Sequence, residues 1–401
     1  MIVDKGSDAR YLSSGHILFA NGQTVLAMPF DPGRLEATAV AVPVLAGVSR
    51  AASGLTGTAQ FSVSATGSLI YLSGTIGNAT SPFERALVWV DRTGREEFVP
   101  APRHGYLYPR LSPDESRVAL DALAQRPVWI WEFARSILTK LTLHEAAHKY
   151  PVWTPNGRQI VFASDRGGHG ALFRVAADGT GQIEPLAING RESGNELDPL
   201  AFSPDGTRLL FRELDPKTAF DLHMLTPEKP AGSWRKTPLL RSGFSENNGV
   251  ISPDGRWMAY ESDESGRYEV YVRPFPNVDD ERWQISTGGG TRPVWTRSGG
   301  ELLYLKGGGG PYTPVAMMSV VVQRGAKPAF SPPQLLFEGT YFVPLTEVSG
   351  FTGRTYDAAA DGSRFLMIKW AYESDASSAQ PPLVIVANWF KELEKIVPSR
   401  R

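Results

Sequence analysis

The sequence predicts an all-β fold, a single closed β-propeller of four-stranded antiparallel blades ending in a short C-terminal helix. Three observations predict it. One turn motif recurs from end to end of the 401 residues; the copies lie about 50 residues apart; and the apolar stretches around them have a strand's period or are short continuous runs. Neither a helical period nor a leucine ladder accompanies the repeat, which disfavours a solenoid.

The motif comes first, because it fixes the rest. A short apolar strand, then Ser/Thr-Pro-Asp/Asn-Gly, then a second apolar strand appears as VWTPNGRQIVFAS from Val152 to Ser164. Close copies are LSPDESRVAL from Leu111, FSPDGTRLLF from Phe202 and ISPDGRWMAY from Ile251. Weaker ones begin at Val63, Trp295 and Ala358, and a degenerate one at Leu12. The turn position falls on Gly15, Gly67, Glu115, Gly157, Gly206, Gly255, Gly299 and Gly362. Pro presets φ, Asp or Asn bonds back to the backbone, and Gly takes the left-handed conformation that closes a hairpin. Each copy therefore reads as two strands joined by a tight turn. Downstream lie a polar loop and a third strand, as in ALFRVAADG from Ala171, DLHMLTP from Asp221 and YEVYVRPFP from Tyr268, then a weaker fourth such as LTKLTL, ending at Leu143.

Four strands repeated in this way are a propeller blade, and eight copies consume the chain as one domain, 1–401, with seven blades as the alternative. The last repeat offers TYDAAADG, RFLMIKW and PLVIVANW but no evident fourth strand. Its end, 388–397, places Trp389, Phe390, Leu393 and Ile396 on one helical face, a helix packed on the propeller. The first and last blades must leave no open edge, so the N-terminal segment or this helix is expected to complete the closure.

Composition narrows the function classes. With 41 basic and 42 acidic residues interspersed, no basic field exists to attract nucleic acid or anionic lipid. Cysteine is absent, which removes thiol nucleophiles and thiolate metal sites. No apolar run reaches the ~18 residues of a membrane span, and MIVDKGSDARYL lacks a signal peptide's apolar core. A free-standing chain is therefore expected in the cytoplasm, as a monomer without cofactor.

The hairpins followed by a D/N-x-x-aromatic strand resemble TolB-like (WD40-like) propeller repeats across essentially the whole chain. More narrowly, ALVWVDRTGRE from Ala86, YESDESGRYEVYVRPFP from Tyr260 and NWFKELEKIVP from Asn388 resemble the C-terminal propeller that follows the membrane span of many bacterial serine/threonine protein kinases. That resemblance implies an extracytoplasmic sensor or interaction domain. The Gly-rich loop and H-R-D motif of the kinase half are absent, so kinase activity does not carry over.

One segment spells a different chemistry. His144-Glu145-Ala146-Ala147-His148 matches H-E-x-x-H, which binds zinc only where both histidines share one helical face. Leu141 to Leu143 reads as an outer strand and Pro151 to Trp153 as the next inner strand, so His144 to Lys149 is an inter-blade loop and no metal is expected. The histidines read as ordinary loop residues.

Propeller geometry still gathers such loops on one face around the mouth of the central channel. There 144–149, 164–170, 192–198, 245–249, 262–267 and 286–292 come together. Candidate ligand-binding residues are His144, Glu145, His148, Arg166, Glu246, Asn248, Glu264 and Arg292; charges placed so closely also pair with one another. No G-x-S-x-G elbow is present, and KGGGGP from Lys306 opens no helix to cradle phosphate. Trp153, Trp257 and Trp295 read as inter-blade packing. The expected function is a binding propeller whose channel mouth takes a small molecule, peptide or protein; the alternative is a hydrolase (esterase, lactonase or peptidase) at the same mouth.

Overall fold

The computed structural model describes residues 6–22, 24–49, 58–73, 84–123, 127–142, 146–166, 170–190, 195–215, 217–230, 232–309, 313–323, 325–344, 353–370 and 383–398. All eight turn positions carry the left-handed backbone their chemistry demands, with φ from 58° at Glu115 to 87° at Gly67. Glu115 occupies that conformation without being glycine, and its carboxylate accepts the Ala360 N–H. The turn at Ser203 shows the shared wiring. Ser203 Oγ donates to Asp205 Oδ1 at 2.5 Å and accepts from Arg208 N at 2.9 Å, while Thr207 N donates to Asp205 at 3.0 Å. These donors hold the Asp205 carboxyl down at about 2, the Ser203 hydroxyl contributing most.

Among the described residues the strands form eight sheets, grouped in two compact units: 1–84 with 372–401, and 85–371. The first unit holds two sheets. One runs Ser7–Leu12, His16–Asn21, Thr24–Asp31, with Glu36–Ala37 and Val42–Leu45 both on the third strand; the other is Phe61–Val63, Leu69–Leu72, Leu383–Val386. The helix is Trp389–Ile396. Trp389 and Leu393 are buried among Leu18, Ala27 and Leu69, and Trp389 N donates to Gly67 O at 2.7 Å. A Cβ on Gly67 would stand 2.7 Å from the Phe390 ring, so glycine is required there for space as well as for φ. Ile396, expected on the buried face, is instead half exposed. Val397, just past the helix, bends in and fills that place.

Six sheets make up the second unit. In chain order of their first strands these are Tyr106–Leu111, His148–Trp153, Leu197–Phe202, Glu246–Ile251, Thr291–Trp295 and Tyr356–Ala358. Within the first five, the third strand follows its own hairpin as expected. The sixth differs: Tyr356–Ala358 and Arg364–Trp370 are completed by Arg85–Asp91 and Glu96–Phe98, while Leu383–Val386 completes Leu69–Leu72. Strands from the two chain halves are thus exchanged between the second and last repeats, and each hairpin edge is covered by main chain from far along the sequence. The sixth sheet touches both of its neighbours, Leu111 N donating to Asp357 Oδ2 at 2.8 Å and Tyr356 Oη to Arg292 O at 2.9 Å.

The first strands share a further device. A register break interrupts five of them, and at the break Tyr108, Tyr150, Asn248 and Arg292 have φ between 41° and 56°. Each precedes Pro or, for Asn248, Gly. In the third of these strands, Leu197–Phe202, the break falls between Pro199 and Ala201. A bulky residue in this region costs about 1–3 kcal/mol, so something must hold it. Carboxylates from neighbouring second strands do: Asp121 Oδ2 accepts Tyr150 N at 3.3 Å, and Glu261 Oε2 accepts Arg292 N at 2.5 Å. Apolar clusters fill the spaces between sheets. Trp153 Nε1 reaches back to Arg110 O at 2.8 Å, and Trp257 and Trp295 share one cluster, the packing role expected of all three.

Candidate functional site

The loops expected at the mouth do meet pairwise. Ala147 N donates to Asp165 Oδ1 at 2.8 Å, and Ser245 N to Asp263 Oδ1 at 2.8 Å, so the Ser-Asp that ends two second strands ties down the loop entering the same sheet. Among the candidates, His144 and Glu145 lie outside the described residues. His148 is not a loop residue: it opens the strand His148–Trp153, pairs with Ser164, is fully buried and meets the Phe162 ring edge-on at 5.0 Å. The outer strand is Ile137–Lys140 rather than 141–143. The left-handed bulge at Tyr150 accounts for the earlier start of the inner strand, because it adds a residue before Pro151. Arg166 is exposed, and Glu264 pairs with Arg282.

Asn248 and Arg292 are brought together, through a residue the sequence did not single out. Asn248 Nδ2 donates to Glu261 Oε1 at 2.8 Å, and Arg292 N to the other oxygen. Arg292 also donates to Gly353 O at 3.1 Å and Pro344 O at 3.0 Å. Beside them Arg212 donates twice to Asp198 Oδ2, at 2.8 and 3.0 Å, and once to Asn247 Oδ1 at 2.7 Å. Tyr108 and Tyr150 stack at 4.5 Å, and Arg212 lies 4.9 Å over the Tyr150 ring. All of these side chains are buried. Burial raises the Glu261 carboxyl and lowers the Arg292 guanidinium; for Arg212 burial acts downward, but Tyr150 and Asp198 outweigh it. The centre of this unit is filled by an internally bonded polar cluster.

A second cluster lies at the rim, where the third and fourth sheets of this unit, those of Leu197–Phe202 and Glu246–Ile251, are joined through 241–245. Glu246 and Asp221 are both buried. Ser242 Oγ donates to Glu246 Oε1 at 2.5 Å, and Thr218 Oγ1 to Asp221 Oδ2 at 2.7 Å. Glu246 Oε2 and Asp221 Oδ1 are buried with no hydrogen-bond partner. Burial, then the Asp221, Asp263 and Glu264 charges, push the Glu246 carboxyl up to about 7 against the Ser242 bond; burial likewise raises Asp221. Behind them Glu213 bonds His223, Lys236 and Asn195. Over this cluster runs a groove of about 620 Å³ lined by Asn195, Glu196, Leu214, Asp215, Lys217, Thr218, Ala219 and Gly243. Leu214 is 38% exposed, and Phe244, next to Gly243, is 46% exposed.

Of the sequence candidates Glu246 falls in this cluster. Asp221, Glu213 and Arg212, which the sequence reading did not single out, stand in otherwise apolar strands (DLHMLTP, LLFRELD), and a charge inside a strand is the signal that could have found them.

No protein-family model matches the chain. A putative TolB from Agrobacterium tumefaciens aligns with a TM-score of 0.55 at 15% identity, over 72% of this chain and 98% of that one. TolB from Acinetobacter baumannii gives 0.46 at 13%, over 93% and 79%, and oligogalacturonate lyase from Vibrio parahaemolyticus 0.44 at 10%, over 70% and 77%. At such identities the likeness is one of fold. The alignment with the Agrobacterium tumefaciens protein, together with the sheets described above, supports a TolB-like β-propeller fold. Among the described residues no helix is long and apolar enough to cross a membrane, and no cluster of His, Cys, Asp and Glu suits a metal ion.

Proposed function

We propose that this protein is a binding propeller that recognises a small molecule or peptide at the rim groove beside 241–245. The observation that carries the reading is the groove itself: its volume lies in the range of ligand sites, and it has polar walls with Leu214 and Phe244 left exposed at its edge. The filled centre supports the same reading, since Asn248, Arg292 and Arg212 spend their donors on one another's sheets. We extend the proposal to the setting implied by the resemblance to kinase-linked propellers, an extracytoplasmic sensor or interaction domain. A thermal-shift screen of metabolite and peptide libraries tests it. Hits are expected to lose at least about tenfold in affinity in a Leu214→Ser/Phe244→Ser variant, a loss of about 1.4 kcal/mol; hits unaffected by that change place recognition elsewhere.

One observation favours a second reading, a hydrolase. Ser242 Oγ bonds a carboxyl raised to about 7, which is the relation of a nucleophile to its base. A fluorophosphonate probe tests it: labelling lost in Ser242→Ala supports the reading, and absence of labelling removes it.

A further inference from the structure

We propose that Glu246 is a proton-operated latch on the rim segment 241–245: as the neutral acid it holds the segment down, and as the carboxylate it lets the segment go. Its value as a regulator of binding rests on the groove reading above; the latch itself rests on the geometry that follows.

Acidic residues make most of the side-chain attachments of this segment to the body, beside one bond from Asn247 Nδ2 to Ser245 Oγ at 3.0 Å. Arg241 bonds Asp215 at 3.0 Å and approaches Asp221 at 3.7 Å. Ser242 Oγ donates to Glu246 and accepts from Phe244 N at 3.0 Å, while Ser245 N donates to Asp263. Asp215 and Asp221 face the Arg241 guanidinium, and Asp263 accepts a backbone N–H. Glu246 has only the Ser242 hydroxyl as donor, its second oxygen is buried with no hydrogen-bond partner, and among the described residues it makes no ion pair.

The groups facing it from each packed element are of its own sign. From the neighbouring sheet comes Asp221, with its own bare oxygen, backed by Asp215 and by Glu213, whose partners His223 and Lys236 are already engaged. From its own sheet come Asp263 and Glu264, the latter paired with Arg282. Arg241 is the cation nearest in sequence, and it points at Asp215 and Asp221. A neutral acid tolerates this setting, whereas an anion with an unsolvated oxygen beside Asp221 does not. Ionisation therefore drives the carboxyl toward water and away from Ser242, which frees Ser242 and Phe244 at the groove edge. The upward displacement of the Glu246 carboxyl, to about 7, puts the change in the physiological range.

The chain has no cysteine, so Phe244→Cys gives a unique attachment for a solvatochromic dye. In ligand-free protein the emission is expected to follow one proton with a midpoint near 7, to be flat in Glu246→Gln, and to shift down by roughly one unit in Asp221→Asn, which removes a facing charge. A signal flat from pH 5 to 9, or an unchanged transition in Glu246→Gln, overturns the latch. Should the Gln variant not fold, amide exchange of Phe244 and Ser245 in the unaltered protein decides. An increase with pH beyond that of exposed amides supports the latch, and no excess refutes it. Neither experiment uses a ligand, so failure of the latch leaves groove binding standing, and failure to find a ligand leaves the titration intact.

Discussion

The centre and the rim of the second unit both bury charged side chains, and they treat them differently. At the centre, Arg212 meets Asp198 and Asn247, and Glu261 meets Asn248 and Arg292, so each charge faces a donor or an acceptor. At the rim, Glu246 and Asp221 each keep one buried oxygen without a partner. A buried charge that is fully bonded specifies structure; one that is half bonded stores free energy that a proton or a ligand can release. The central cluster sits where the left-handed residues of the first strands need anchoring. The rim cluster sits beside the groove, with Leu214 and Phe244 exposed at its edge.

The contrast is sharpest in its largest consequence. Arg212→Met should cost about 3–5 kcal/mol in urea unfolding, because it strands Asp198 and Asn247 in the interior; a cost below about 1 kcal/mol would mean that the centre is hydrated rather than packed. Glu246→Gln should act in the opposite direction and only at higher pH. The folded carboxyl is raised from 4.5 to about 7, so its favourable share of stability is present below 4.5 and lost as pH rises through 7. The amide cannot ionise, and the variant should match the parent at pH 4 and exceed it by about 1–2 kcal/mol at pH 8, after allowing for partial screening of the charge by water. Equal stability at both pH values would break the comparison at the rim. Smallest of all, Arg166→Ala should change stability by less than about 0.5 kcal/mol, since its guanidinium is exposed; a larger loss would show a third cluster at the mouth.

Much of the fold was legible because turn chemistry is local. Even LSPDES, with Glu115 in place of glycine, was placed correctly, since Ser112, Pro113 and Asp114 still determine the turn. The helix boundary and the packing tryptophans followed from periodicity in the same way. The strand exchange was not legible: Arg85–Asp91 suits any apolar neighbour, and its pairing with Arg364–Trp370 rather than Leu69–Leu72 is decided by packing over long sequence separations. Of the site candidates, Glu246, Asn248 and Arg292, expected in loops at the mouth, lie within first strands. Their partners were missed, because Glu261 and Asp221 lie within second and third strands, where a pattern of loops does not look. His148 was misplaced for a related reason: the bulge at Tyr150 shifts the strand start, and no residue of HEAAHKYPVW announces it.

Recognition is assigned to the rim groove and not to the filled centre. Backbone amide chemical-shift mapping of the protein against a fragment library measures this directly. Binding fragments are expected to perturb Leu214, Lys217 to Ala219, Gly243 and Phe244 while Tyr108, Tyr150 and Arg292 stay still. Perturbations confined to Tyr108, Tyr150 and Arg292 would contradict it.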